Sequence, residues 1–154
     1  MKKILFICTG NSCRSVMAEG LARYLLEKAG RSDVRVMSAG TAAAVGLPPT
    51  GETIEVMKAV GIDVSKHRGK QVDTTLIEHA DAVFCMEAGH REMILLAVPE
   101  AESKVHLLRT YGKSGSNGSP DVPDPIGRPK EVYEACLLMI RDGVERIVQQ
   151  VMKS

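Results

Sequence analysis

A chain of 154 residues, 44% hydrophobic and 25% charged, is long enough to form one domain, 1–154, around a core of its own. A net charge of +1 argues against broad nucleic-acid binding, which draws on a marked basic excess, and no apolar stretch is long enough to cross a membrane. The opening "MKKILF" is too short and too soon broken to act as a signal peptide. With nothing pointing to secretion, Cys8, Cys13, Cys85 and Cys136 read as reduced thiols of a cytoplasmic protein.

"KILFIC" is short, apolar and β-prone, as are "VRVMSA", "DAVFCM" and "KVHLL" further along. Such runs suit strands buried on both faces of a parallel sheet. After the first strand, Met17, Leu21, Tyr24, Leu25 and Ala29 recur at helical spacing, and "TGETIEVMKAVGI" and "EMILLAV" read as further helices. Residues 110–129, "TYGKSGSNGSPDVPDPIGRP", lack an apolar face and form a long surface loop. Its "GKSGSNGSP" supplies the freedom that closure over a substrate needs. In the last segment Val132, Tyr133, Cys136, Leu137, Ile140, Val144, Ile147 and Val151 form one broad stripe, the mark of a long helix packed on a sheet. The alternation predicts an α/β fold, a doubly wound domain with a central four-stranded parallel sheet flanked by helices. In such folds ligands gather beyond the carboxyl ends of the strands.

"CTGNSCRS", Cys8 to Ser15, stands at that end of the first strand. Gly10 and Asn11 both tolerate positive φ, so they permit a tight turn whose N–H groups converge on an anion. A cysteine ringed by amides, beside a helix amino terminus and an arginine, sits among the influences that favour thiolate. Arg14, six residues on, can close the ring by binding two oxygens of a tetrahedral oxyanion. Ser15 is placed to cap the helix or to donate to the thiolate. A buried strand cysteine followed by a surface arginine would also give this spacing. Its position between strand and helix, with Gly and Asn at the bend, favours a phosphate cradle formed by Thr9, Gly10, Asn11, Ser12, Cys13, Arg14 and Ser15.

"CTGNSCRS" followed by "MAEG" resembles the low-molecular-weight protein tyrosine phosphatase family. "SAGT" (Ser38 to Thr41), "GIDVSKHR" (Gly61 to Arg68) and "DPIG" (Asp124 to Gly127) extend the resemblance over essentially the whole chain. It implies a cysteine-dependent phosphatase acting on phosphorylated proteins without a metal or other cofactor. Position by position, it implies that Cys8 attacks phosphorus, that Arg14 and the loop amides stabilise the transition state, and that Asp124 protonates the leaving group and then activates water. It assigns Asn11, Ser15, Ser38 and His67 to a network that holds the loop in shape. From the residues alone Asp121 competes with Asp124; the stiffening Asp124-Pro125 dipeptide tips the choice toward Asp124. The family also forms a disulfide between the equivalents of Cys8 and Cys13 on oxidation, while a buried filler is the plainer role for Cys13.

Two positions bear on the substrate. Tyrosine-directed members carry an aromatic ring just after the Asp-Pro, where this chain has Ile126, and a bulky apolar residue at the position of Ser12. A branch acting on phosphoarginine in proteins carries threonine there, so Ser12 and Ile126 are expected to set selectivity between phosphotyrosine and phosphoarginine. Thiol-dependent arsenate reductase shares the opening motif almost letter for letter, but its chemistry needs relay cysteines close together on a mobile segment, and Cys85 and Cys136 lie in apolar runs. A zinc site has little support: there is no C-x-x-C, and Cys85 with His90 is an isolated pair. His79, His90 and His106 read as surface or core residues.

Overall fold

The computed structural model describes residues 1–114 and 118–154. Residues 115–117, inside the Gly/Ser stretch expected to give the long loop its freedom, lie outside the described residues. Four strands, β1 (Lys3–Cys8), β2 (Arg35–Gly40), β3 (Ala82–Cys85) and β4 (Val105–Leu107), form one sheet in the order β2-β1-β3-β4. Every neighbouring pair is parallel, with Ile4 aligned between Val36 and Ala82, and Cys8 opposite Gly40. This is the expected doubly wound α/β sheet.

Because strand side chains alternate, β1 serves two cores. Ile4, Phe6 and Cys8 join the layer built on α1 (Arg14–Lys28), α2 (Gly51–Ala59) and α5 (Lys130–Lys153). Leu5 and Ile7 face the opposite layer, which includes residues of α3 (Thr74–His79) and α4 (Ala88–Ala97) and the 3-10 turn Pro99–Lys104. The stripe predicted for α5 is buried over Tyr133, Cys136, Leu137, Ile140, Val144, Ile147 and Val151, with Val132 at its half-buried edge.

Two local expectations are corrected, and one short helix was not expected. Tyr24 is exposed, Leu25 half-buried and Ala29 exposed, while Ala18, Ala22 and Leu26 fill the seam instead. The reason is the packing of α1 against α5, where small side chains let two helices approach. The helix of "EMILLAV" starts four residues earlier, at Ala88. α3 escapes a periodicity argument because it has only six residues, although Asp73 caps it through a bond from the Leu76 N–H (2.8 Å). Among the described residues, no helix is long and apolar enough to cross a membrane.

Candidate active site

β1 delivers Cys8 to the carboxyl edge of the sheet, and the chain turns at once into α1. The turn depends on Asn11, whose φ of 53° is left-handed. Of the two residues that tolerate that region, Asn11 uses it and Gly10 does not. A second requirement falls on Gly40, where a Cβ would run into the Thr9 carbonyl. Cys13 is the N-cap of α1 and makes no side-chain cap bond. The N–H groups of Gly10, Ser12 and Cys13 have no protein acceptor among the described residues. Unpaired amides at a helix amino terminus are what an anion needs.

Asn11 is buried at the centre of a fully paired network. Its Oδ1 accepts from the Lys70 N–H (2.9 Å) and from His67 Nε2 (3.1 Å), so its Nδ2 is the end that donates to Ser15 Oγ (2.8 Å) and Ser38 Oγ (2.9 Å). Having accepted from Asn11, Ser15 turns its own proton to Cys8 Sγ, 2.9 Å away. The Asn11 N–H adds a second donor at 3.3 Å. Two donors thus converge on one sulfur and fix its position at the head of the loop. Ser15 therefore serves the thiol and not the helix cap. At the far end Ser38 donates to Glu19 Oε1 (2.5 Å), which also lies 3.9 Å from His67 Nδ1. Burial, opposed mainly by the Glu19 charge, holds His67 below the usual histidine range, in keeping with a neutral ring donating through Nε2.

Arg14 opens α1 with a guanidinium only 1% exposed. It pairs with the Glu87 carboxylate, donates to the Val122 carbonyl (2.7 Å) and reaches Thr9 Oγ1 at 3.4 Å. A buried cation is stable only with such a set of partners. His90, buried against the same loop, bonds Thr9 Oγ1 through Nε2 at 2.9 Å and accepts the Glu87 N–H on Nδ1 at 3.1 Å.

Asp124 and Ile126 close a pocket of about 230 Å³ whose floor is Cys8 and whose walls are the loop residues and Arg14. The Ile126 N–H holds Asp124 Oδ1 (3.1 Å), and Oδ2 lies 3.7 Å from the Arg14 guanidinium. Asp121 is engaged elsewhere, accepting from the Ala88 N–H at 2.8 Å as a brace for α4. The structure thus brings Asp124, and not Asp121, to Cys8. A larger groove of about 480 Å³ behind α1 touches Glu19 and His67 but has no cysteine in its lining.

The family model described as low molecular weight phosphotyrosine protein phosphatase matches residues 3–154. The chain belongs to this family of cysteine-dependent phosphatases. This low-molecular-weight phosphatase is 39% identical over 149 residues to a protein-arginine-phosphatase of Geobacillus stearothermophilus, covering 97% of this chain and 93% of the relative. It is 36% identical over 144 residues to a low molecular weight protein-tyrosine-phosphatase of Streptomyces coelicolor, covering 90% and 86%. Its fold matches a mutant YwlE arginine phosphatase with a phosphorylated active-site serine at a TM-score of 0.90 and 31% identity, covering 99% of this chain and 97% of that one.

Every site residue expected from the sequence of this phosphatase lies in or directly behind the pocket. Three partners were not foreseen: Glu19 and Glu87, whose carboxylates hold Ser38 and Arg14, and His90, expected at the surface or in the core. His79 is exposed and His106 stacks on Phe84, as expected of surface or core residues. The "MAEG" tetrapeptide already contained Glu19, but the pairing with Ser38 spans 19 residues and is visible only once β2 lies beside β1.

Proposed function

We propose that residues 1–154 form a cytoplasmic protein phosphatase domain that hydrolyses phosphoarginine on proteins in preference to phosphotyrosine, through a cysteinyl-phosphate. The observation that carries the reaction is the convergence of Cys8, the unpaired amides, Arg14 and Asp124 on one pocket. Cys8 sulfur attacks phosphorus as the bond to the leaving nitrogen or oxygen breaks, and protonated Asp124 gives the leaving group its proton. The loop amides and Arg14 hold the equatorial oxygens throughout, which stabilises the spreading charge. Asp124, now a carboxylate, then takes a proton from the water that displaces phosphate and restores the thiolate. The loop in this reading is kept in shape by Asn11, Ser15, Ser38 and His67.

Substrate preference rests on the rim. Ile126 is 55% exposed beside Asp124, and Val45 and Leu47 are exposed on the segment whose Ala44 and Thr50 N–H groups bond the carbonyls of Gly10 and Ser12. The aromatic residues are committed elsewhere: Tyr111 against Phe84, Tyr133 buried with its hydroxyl 3.7 Å from Cys13 Sγ, and Tyr24 under Lys28. A phosphotyrosine ring therefore gains no stacking partner, a loss of about 0.5–1.5 kcal/mol. Aliphatic walls accept the methylene stem of phosphoarginine, and the hydroxyl of Ser12 suits its guanidinium.

Arsenate reduction is disfavoured by the remaining thiols. Burial pushes Cys85, inside β3, and Cys136, inside α5, each up to about 12, so neither is poised to relay a disulfide. Cys13 is a free buried thiol of the cradle. After a peroxide oxidises Cys8 to a sulfenic acid, Cys13 is the thiol proposed to displace hydroxide and form a protective disulfide.

The test is steady-state phosphate release from phosphoarginine and phosphotyrosine peptides side by side, with Cys8→Ser as blank. Faster Cys8-dependent release from phosphoarginine supports the proposal, and the opposite order assigns phosphotyrosine. No Cys8-dependent release from either would redirect attention to arsenate with added thiol.

A further inference from the structure

The phosphatase reading gives Arg14 its task but leaves His90 without one. This imidazole is 5% exposed and touches both groups that grip the guanidinium from the α4 side and the loop side. Its Nδ1 accepts the N–H of Glu87, the residue whose carboxylate pairs with Arg14. An Nδ1 that accepts an N–H carries no proton, so in the neutral ring the proton resides on Nε2. Nε2 therefore donates to Thr9 Oγ1, which also accepts from Arg14.

We propose that His90, as the neutral Nε2–H tautomer, is a positioning residue that ties Thr9 and Glu87 together around Arg14 and so fixes the guanidinium for phosphoryl transfer. The inference rests on the phosphatase reading and adds to it a residue outside the cradle, the network behind it and the general acid. A second proton on the ring would fall on Nδ1, directly against the Glu87 N–H, and the tie would open. The groups facing the ring set when that happens. Arg14 on α1 opposes protonation, while Glu87 at the head of α4 and Asp121 and Asp124 on the 110–129 loop favour it. Burial is the largest influence and joins Arg14 in keeping His90 below the usual histidine range. At neutral pH the tie is closed.

The alternative, a histidine that merely fills space, predicts a different pattern of kinetics. The experiment uses para-nitrophenyl phosphate, whose leaving group needs little help from an acid, so that titration of Asp124 does not dominate the low-pH limb. Wild type, His90→Ala, His90→Gln, Thr9→Val and the Thr9→Val/His90→Ala double variant are compared, with Cys8→Ser as blank. His90→Ala should lower kcat by roughly 10- to 100-fold, the range associated with a misplaced catalytic group, with KM changed less than about threefold. The double variant should be no slower than His90→Ala, because Thr9 and His90 act as one unit. Gln at position 90 can still donate to Thr9 but cannot titrate. It should recover most of kcat and lose the part of the low-pH decline that the wild type shows.

The positioning role is overturned if His90→Ala keeps kcat within twofold of wild type. It is equally overturned if the losses in the double variant multiply, or if His90→Gln follows the wild-type pH profile unchanged. Circular dichroism of each variant identifies any that fails to fold, in which case the pH profile of the folded His90→Gln decides. Absence of Cys8-dependent turnover in the wild type is a separate result: it removes the phosphatase reading, and this inference with it.

Discussion

Residues 8–15 and residues 110–129 face each other across one pocket, yet they are held in contrasting ways. In the first segment Cys8, Asn11, Cys13, Arg14 and Ser15 are all buried, and each polar side chain has partners drawn from several elements. Among its described residues the second is held at Tyr111, whose carbonyl accepts from Arg146 Nε (2.6 Å), and again at Asp121 and Val122. Val122 is buried with its N–H on the Met86 carbonyl (2.7 Å), and Arg109 donates to the Asp121 carbonyl (2.8 Å). Two residues further, Asp124 is already 41% exposed. An anion cradle works by having its donors fixed before the substrate arrives. A general acid must meet a different leaving group in each substrate and needs room to do so. One site thus combines a buried, fully paired half with a half that is held at Tyr111, Asp121 and Val122 and exposed at Asp124 and Ile126.

The largest effect that tests this contrast lies within the loosely held half. Asp124→Asn removes the only carboxyl among the described residues that line the pocket with Cys8 and should lower kcat by about 10²- to 10⁴-fold on peptide substrates. Asp121→Asn keeps an oxygen for the Ala88 N–H and should stay within about threefold, since its hydrogen bond survives. Steady-state phosphate release from the two variants decides. Equal losses would mean that the loop works as a rigid unit and that its exposed stretch is no freer than its anchor.

The cradle half should answer to substitution through stability. Asn11→Ala strands the Ser15, Ser38 and Lys70 groups and leaves a residue with a Cβ at a left-handed φ. The expected cost is about 3 kcal/mol, or roughly 6–12 °C in Tm for a domain of this size. Asn11→Gly loses the same bonds but tolerates the backbone, and should recover about 1 kcal/mol of that. Thermal unfolding of both variants beside Ile126→Ala sharpens the comparison. A cradle variant no less stable than the rim variant would show that the network is not what holds the loop.

A smaller effect follows from His67 behind the cradle. Its pKa in the folded state lies below that of an unfolded histidine, about 6.5. The native state therefore binds fewer protons than the unfolded chain, and stability rises with pH in that window. The contribution is present above the unfolded value and is lost as pH falls through the folded one. Tm measured from pH 7.5 down to pH 5 should fall more steeply for the wild type than for His67→Gln, which cannot titrate. Parallel curves would place the acid sensitivity elsewhere.

How far the sequence carried differs between the halves as well. Strand runs and the α5 stripe were legible because burial on two faces, or on one broad face, leaves an unbroken or periodic apolar pattern. The cradle was legible because its members are consecutive and its conformation demands particular residues, Asn11 and Gly40 among them. Glu87 and His90 were not, because they reach Arg14 and Thr9 across 73 and 81 residues of chain, and nothing local in "MEAGH" marks them. Tyr24 misled because periodicity shows which residues share a face of a helix and not which side of that face meets α5. Asp124 was separable from Asp121 only through its proline, and the geometry supplied the rest.

The rim offers the smallest and most specific test. Ile126 contributes an exposed aliphatic wall at the pocket mouth, on the exposed half of the site. Ile126→Tyr would place a ring beside the substrate without touching the cradle. Against phosphotyrosine peptides the gain should be about 0.5–1.5 kcal/mol, or roughly 2- to 10-fold in kcat/KM, from ring stacking. Phosphoarginine peptides have no ring to stack, so their kcat/KM should stay level or fall. If selectivity lies instead in the rigid half, Ser12→Ile will shift the ratio toward phosphotyrosine and Ile126→Tyr will not. The pair of ratios therefore assigns discrimination to the buried cradle or to the exposed rim, a division the catalytic variants leave untouched.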